Sequence, residues 1–268
     1  GDTPFGDDAS ASVLVSPDLN AQTMARVGYS RGLNRDGLTA GASVTVGQSR
    51  PDGAFSQLSI ASAVFNIRAE LSYPILLNGN SSVRVTGAIE SNDQKTDVFS
   101  STTVSHDRVR VVSLALLGQY ASPATQFGWS LEFRQGLNAF GASRRDDVNL
   151  SRFEGDPYAG LLRASATVQQ DLPWGARASI RTQGQYTPRQ LLVPEQMSLG
   201  NLSIVRGYQP SELLGDSVLA NAVEIKTPNW TLPLQSKGSA FIFADAATLW
   251  TRGPLAERRW AASHGLGV

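Results

Sequence analysis

The chain has 268 residues, 23 Lys+Arg against 23 Asp+Glu, no cysteine, and two histidines. Zero net charge gives no electrostatic case for nucleic acid, and the lack of cysteine excludes disulfide frameworks, thiolate metal sites and thiol nucleophiles. His106 and His264 are too few and too far apart for a His-based metal cluster, and no run approaches the roughly 18 apolar residues of a membrane helix.

The start, Gly1-Asp2-Thr3-Pro4, lacks the basic region and apolar core of a signal peptide, so the chain reads as processed or as a fragment. Gly1 to Asp8 is polar and turn-like, and Ala9 to Val15 is expected to be a strand remnant. Clear alternation begins at Ala21, with Thr23, Ala25, Val27 and Tyr29 on one side and Arg26, Gly28 and Ser30 on the other. After a turn at Gly32 to Gly37, Leu38 to Gly47 alternates again. Pro51-Asp52-Gly53 signals a turn. Ala63 to Tyr73 and Val83 to Glu90 flank a tight hairpin at Leu77-Asn78-Gly79-Asn80, and Ser91 to Asp107 is expected to be a polar loop.

Val112 to Tyr120 and Phe127 to Arg134 form the next pair, joined by a turn at Ala121 to Gln126. Ala139 to Pro157 reads as a long loop. Tyr158 to Gln169 and Trp174 to Tyr186 alternate around Asp171-Leu172-Pro173. The segment from about Pro188 to Asp216 does not alternate, and a loop that long between strands is usually functional or disordered. Leu219 to Ile225, a turn with Pro228 and Pro233, Gly238 to Trp250, and Arg259 to Val268 complete the chain. No convincing helix is found.

Eleven or twelve consecutive strands without helical crossovers must be antiparallel. One apolar and one polar side persist along every strand. Connections are short at Leu77, Ala121 and Asp171 and longer at Ser91, Ala139 and Pro188. Mean hydropathy, −0.16, suggests a soluble chain. The period instead suits a transmembrane β-barrel, apolar outside and polar inside, with Tyr29, Tyr73, Tyr120, Trp174 and Trp250 as an interfacial girdle. From the pattern alone a large soluble β-protein stays open as the alternative. The barrel reading assigns Arg84, Glu132, Arg134, Arg163, Arg177, Arg181 and Gln183 to the lumen. It assigns Val85, Trp129, Leu131, Ile180 and Ile225 to lipid.

Several segments together resemble the barrel of two-partner secretion transporters, the haemolysin and filamentous-haemagglutinin secretion/activation family. Asp107-Arg108-Val109-Arg110 is similar to a strand start of that family, and Gln135 to Ser143 to a strand-to-loop segment. Glu195 to Gly200 and Val205-Arg206-Gly207-Tyr208 resemble the approach and tip of its sixth extracellular loop, and Leu214-Gly215-Asp216 the return. Phe243-Ala244-Asp245 follows at the next-but-one strand. Ala247 stands where the family usually has Gly.

The resemblance implies that the loop folds into the lumen and that Arg206 pairs with Asp245. Arg offers a planar fork matched to a carboxylate, and Gly207 is expected to allow a sharp turn at the tip. Phe243 would share the lumen with Asp245. A complete member has a signal peptide, a plug helix, two POTRA domains and sixteen strands. Residues 1–268 therefore read as a partial barrel in the bacterial outer membrane, without POTRA domains and with open edges.

The implied function is export of a large unfolded exoprotein, by a monomer surrounded by outer-membrane lipid, with no nucleic-acid partner, cofactor or metal. A barrel-assembly insertase of the same superfamily and a passive porin or adhesin are the alternatives. No nucleophile elbow, P-loop or metal spacing supports an enzyme. Glu132, Arg134 and Glu195 read as lumen or loop polarity rather than an acid pair.

Overall fold

Alternation with period two gives each strand an apolar and a polar side, and pairing aligns those sides across neighbours. A computed structural model describes residues 7–16, 22–50, 59–99, 102–200, 204–209, 212–231 and 237–268. The expected turn at Pro51-Asp52-Gly53, the start of the chain at 1–6, Ala21 and Pro233 lie outside these residues.

Nine strands follow one another: β1 (Asp7–Val15), β2 (Gln22–Gly32), β3 (Thr39–Ser49), β4 (Ala61–Leu77), β5 (Ser81–Val98), β6 (Thr102–Ala121), β7 (Thr125–Gly136), β8 (Gly160–Asp171) and β9 (Arg177–Tyr186). The next connection contains a small hairpin of β10 (Met197–Leu199) and β11 (Leu213–Gly215), and then β12 (Ser217–Lys226). A second small hairpin, β13 (Trp230–Thr231) and β14 (Lys237–Gly238), precedes β15 (Phe241–Trp250) and β16 (Arg258–Gly267). β1 to β9, β12, β15 and β16 form one antiparallel sheet of 12 strands in chain order. Among the described residues the only helical turn is a 3-10 turn at Val193–Glu195.

The register carries the polar residues to a common side. Glu132 lies opposite Arg163, and Arg163 opposite Gln185. Arg181 lies opposite Ala222, Ala222 opposite Asp245, and Asp245 opposite Ser263. Arg84 is opposite Leu117, Leu117 opposite Ser130, Ser130 opposite Ser165, and Ser165 opposite Gln183. Arg134 and Arg177 share this side by alternation. Both long loops fold against it, so it is the inner face. The outer face displays Val27, Phe65, Leu71, Leu114, Leu131, Ile180, Val223 and Ile242, all exposed. So large an exposed apolar sheet needs an apolar surrounding.

The expected polar loop at Ser91 to Asp107 is corrected. β5 and β6 run straight through most of it, with the connection reduced to residues 99–101. At about 3.3 Å per residue, β5 with its 18 residues is about 60 Å long. An apolar band about 25 Å tall needs far less, even with tilted strands. Outside lipid neither face needs to be apolar, so the hydrogen-bonded ladder continues where the pattern stops. β9 begins at Arg177, and Trp174 sits in the preceding turn.

Candidate functional site: a loop docked on the inner face

The connection at 187–216 leaves β9, narrows through the β10–β11 hairpin and lies back over the inner face. Gly200, at φ +89°, closes the neck; a Cβ there would overlap the Gln209 carbonyl oxygen. Past the neck, Ile204 and Val205 are fully buried against Val218, Ala220, Ala222, Ala247, Leu249 and Ala261. Four of those six are alanines, which let the loop approach the strands closely. Ala247 supplies one of these small contacts. Burying two such aliphatic side chains contributes about 1.5–3 kcal/mol each. Val205 adopts φ +59°, a left-handed conformation that costs a β-branched residue about 1–3 kcal/mol.

Arg206 follows directly. Its Nε and Nη2 donate to the two oxygens of Asp245 at 3.1 and 3.0 Å, and its backbone N–H donates to Asp245 Oδ2 at 3.0 Å. Ser263 Oγ, across on β16, donates to the same oxygen at 3.2 Å. The Asp245 side chain has no solvent exposure. Arg206 Nη1 is also paired with Glu224 on β12, and the guanidinium lies 3.7 Å from the centre of the Phe243 ring. Burial alone would lower the Arg206 pKa, but the hydrogen bonds to Asp245 and Glu224 hold it above its ordinary value. The cation is thus fixed by two carboxylates and an aromatic face.

Gly207 works differently from the expected sharp turn. Its φ is not in the left-handed region; Val205 makes that turn. A Cβ on Gly207 would lie 2.9 Å from the Ser263 Cβ, so glycine there provides clearance against β16. The Tyr208 N–H donates to the Val205 carbonyl at 3.1 Å, and its ring packs on the buried cluster.

The base of the loop has its own ion pair. Arg134 on β7 donates to both Glu195 oxygens, at 3.0 and 2.8 Å, and reaches Glu90 at 3.2 Å and Glu132 at 3.4 Å. Arg163 donates to the Glu195 carbonyl at 3.0 Å and to Gln185 Oε1 at 2.7 Å. The network continues through Glu90 to Arg68 at 3.4 Å. Asp216, fully buried, ties three loops: it pairs with Arg152 and accepts from the N–H groups of Leu191 and Arg252 at 3.1 and 2.6 Å.

The β7–β8 loop is held by the Asp107-Arg108-Val109-Arg110 segment. Asp107 accepts from the Ser151 N–H at 2.9 Å, Arg110 Nε donates to the Phe140 carbonyl at 3.1 Å, and buried Ser143 accepts from the Arg108 N–H at 3.1 Å. Val109 and Val111 on β6 pack with Leu192, and Leu150 of the β7–β8 loop packs against them, joining the two loops apolarly.

The structure therefore brings together Val205, Arg206, Gly207, Tyr208, Phe243 and Asp245, and places Arg134 and Arg163 at the loop base. Arg84, Arg177, Arg181 and Gln183 share the inner face, yet among the described residues none hydrogen-bonds to the loop; Arg177 pairs with Asp171 at 2.6 Å. Sequence reasoning missed Glu224, and missed Glu195 and Asp216 as docking carboxylates. Glu224 carried a signal: it sits one alternation step from Ala222, which faces Asp245. Among the described residues no His/Cys/Asp/Glu group is arranged to hold a metal ion.

A family model for haemolysin secretion/activation protein ShlB/FhaC/HecB matches residues 9–268. No curated protein matches significantly in sequence. Among solved structures, CdiB from Escherichia coli is similar at 18% identity and TM-score 0.64, over 99% of this chain and 53% of that one. CdiB from Acinetobacter baumannii gives 17% and 0.67, over 98% and 48%. BamA from Haemophilus ducreyi lacking POTRA domains 1-3 gives 11% and 0.65, over 98% and 58%. The chain spans about half the length of these structures, and the likeness to them is one of fold.

Proposed function

This chain belongs to the haemolysin secretion/activation family and to the outer-membrane β-barrel proteins, and on that premise we propose that it forms the wall and gating loop of a pore that passes a large unfolded exoprotein. The observation that carries the reading is the loop tip fixed inside, Arg206 on Asp245, against a polar inner face. Its physical logic is that of a removable obstruction. A bidentate pair and a small apolar contact hold the tip at one place, while the strands keep their own ladders whether or not the tip is docked. The polar face offers an extended chain a hydrated surface. The outer membrane supplies no nucleotide, so folding of the cargo outside provides the drive.

The test is secretion by the full-length protein with Arg206→Ala, measured as exoprotein in the medium per barrel in the membrane. Impaired secretion at normal barrel levels supports the reading; undiminished secretion favours a passive porin. The similarity of fold to BamA favours a second reading, an insertase of other barrels. That reading requires the same substitution to lower the levels of unrelated outer-membrane barrels, which the secretion reading leaves unchanged.

A further inference from the structure

We propose that the outward rim of β8, β9, β12, β15 and β16, at the end bearing the long loops, binds the phosphorylated headgroup of an outer-leaflet lipid. Two apolar grooves lie side by side there, divided by a ridge of Leu162 and Tyr186, which face each other in register. One, of about 440 Å³, has Phe133 and Gly160 in its wall and Arg145 and Arg189 beside it. The other, of about 380 Å³, has Ala164 and Gly184 as its shallow floor, Leu219 and Trp250 as walls, and Arg252 beside them. Arg258, the register partner of Trp250, holds its guanidinium 5.7 Å from that ring.

The charges decide the occupant. Arg145 is matched by Asp156 at 2.8 Å and Arg259 by Glu257 at 2.8 Å. Among the described residues no carboxylate pairs with the side chain of Arg189, Arg252 or Arg258, and Arg252 Nε is shielded from solvent without any hydrogen-bond partner. Nearby Asp216 is already committed to Arg152 and to two backbone N–H groups. Unmatched guanidinium groups beside apolar grooves on a lipid-facing surface suit an amphiphile. Acyl chains fill the grooves and phosphate oxygens accept from the arginine forks, the geometry in which arginine binds phosphate best. A neutral lipid does not supply that complement of charge.

The experiment uses the full-length protein in a non-ionic detergent, with bound lipid read by native mass spectrometry. The probes are bisphosphorylated lipid A, the same lipid dephosphorylated, and inorganic phosphate as competitor. Retention of the phosphorylated lipid about tenfold or more tighter than the dephosphorylated one is expected. Arg189→Gln, Arg252→Gln and Arg258→Gln together should remove that preference, while the corresponding lysine variant keeps part of it. Equal retention of the two lipids would overturn the proposal, as would an unchanged preference in the folded glutamine variant. Displacement by inorganic phosphate at the lipid's own concentration would overturn it in favour of a free-anion site. Should the glutamine variant fail to fold, the two-lipid comparison on the unaltered protein decides alone.

Discussion

Replacing Arg206 by alanine removes both side-chain bonds to Asp245, the pair with Glu224 and the contact with Phe243. Breaking a buried ion pair from one side typically costs about 3–5 kcal/mol. Here two donors stay on Asp245, the residue-206 N–H at 3.0 Å and Ser263 Oγ at 3.2 Å. Glu224, its side chain 19% exposed, can recover hydration. The low end, about 3 kcal/mol, is therefore the better figure, and at 1.4 kcal/mol per decade it shifts the docking equilibrium about a hundredfold. The native chain has no cysteine, so Ile204→Cys, at a fully buried position in the docked tip, gives a single thiol whose maleimide labelling reports undocking. Adding Arg206→Ala should raise the labelling rate by about ten- to a hundredfold, with barrel content unchanged. An unchanged rate would show that Ile204, Val205 and their alanine seat hold the tip without the ion pair, and the electrostatic account would fail.

Charge reversal, Arg206→Asp with Asp245→Arg, should not restore docking, because the new carboxylate would face Glu224; labelling at the Ile204→Cys position should stay fast. Gly207→Ala should undock the tip without altering any charge, since its Cβ would meet Ser263 Cβ at 2.9 Å; adding Ser263→Gly should slow labelling again. Arg134→Met leaves Glu195 facing only Arg163 at 3.7 Å and should loosen the loop base by about 3–5 kcal/mol, read as faster amide exchange across 190–199. For the faces, a lipid-phase probe should label cysteine at Ile180 far more than cysteine at Arg181; equal labelling would count against the barrel wall.

Most of the wall was legible because a sheet's two faces are written in alternate residues, so Ile180 and Arg181 declare their sides without knowledge of any partner. Alternation stops informing where lipid stops. The ends of β5 and β6 are polar on both faces, and only pairing between residues such as Lys95 and His106 reveals them as strand. The pair of Arg206 with Asp245 was legible through resemblance. The ties of Arg134 to Glu195 and of Arg152 to Asp216 join residues 61 and 64 positions apart, and nothing local announces them. Val205 was opaque for another reason: a β-branched residue gives no sign of a left-handed backbone, and the neighbouring glycine drew the expectation of a turn to itself.

The docking hydrogen bonds of the two long loops end on β6 to β9, β12 and β15; among the described residues none ends on β1 to β5. The inner wall is therefore divided into a furnished side and a bare one. Within the bare side, one patch of β2 and β3 is built of Gly28, Ser30, Gly41 and Ser43, which face one another in register, with Arg26, Arg68 and Glu70 around it. Such stubby groups stand barely above the backbone and, on the proposed function, would offer a sliding polypeptide few places to lodge. Each hydroxyl can trade its partner for water at little cost. On the proposed function, a chain that passes while the loop remains docked would meet its least drag over this patch, set there by solvent exchange rather than by side-chain interlocking.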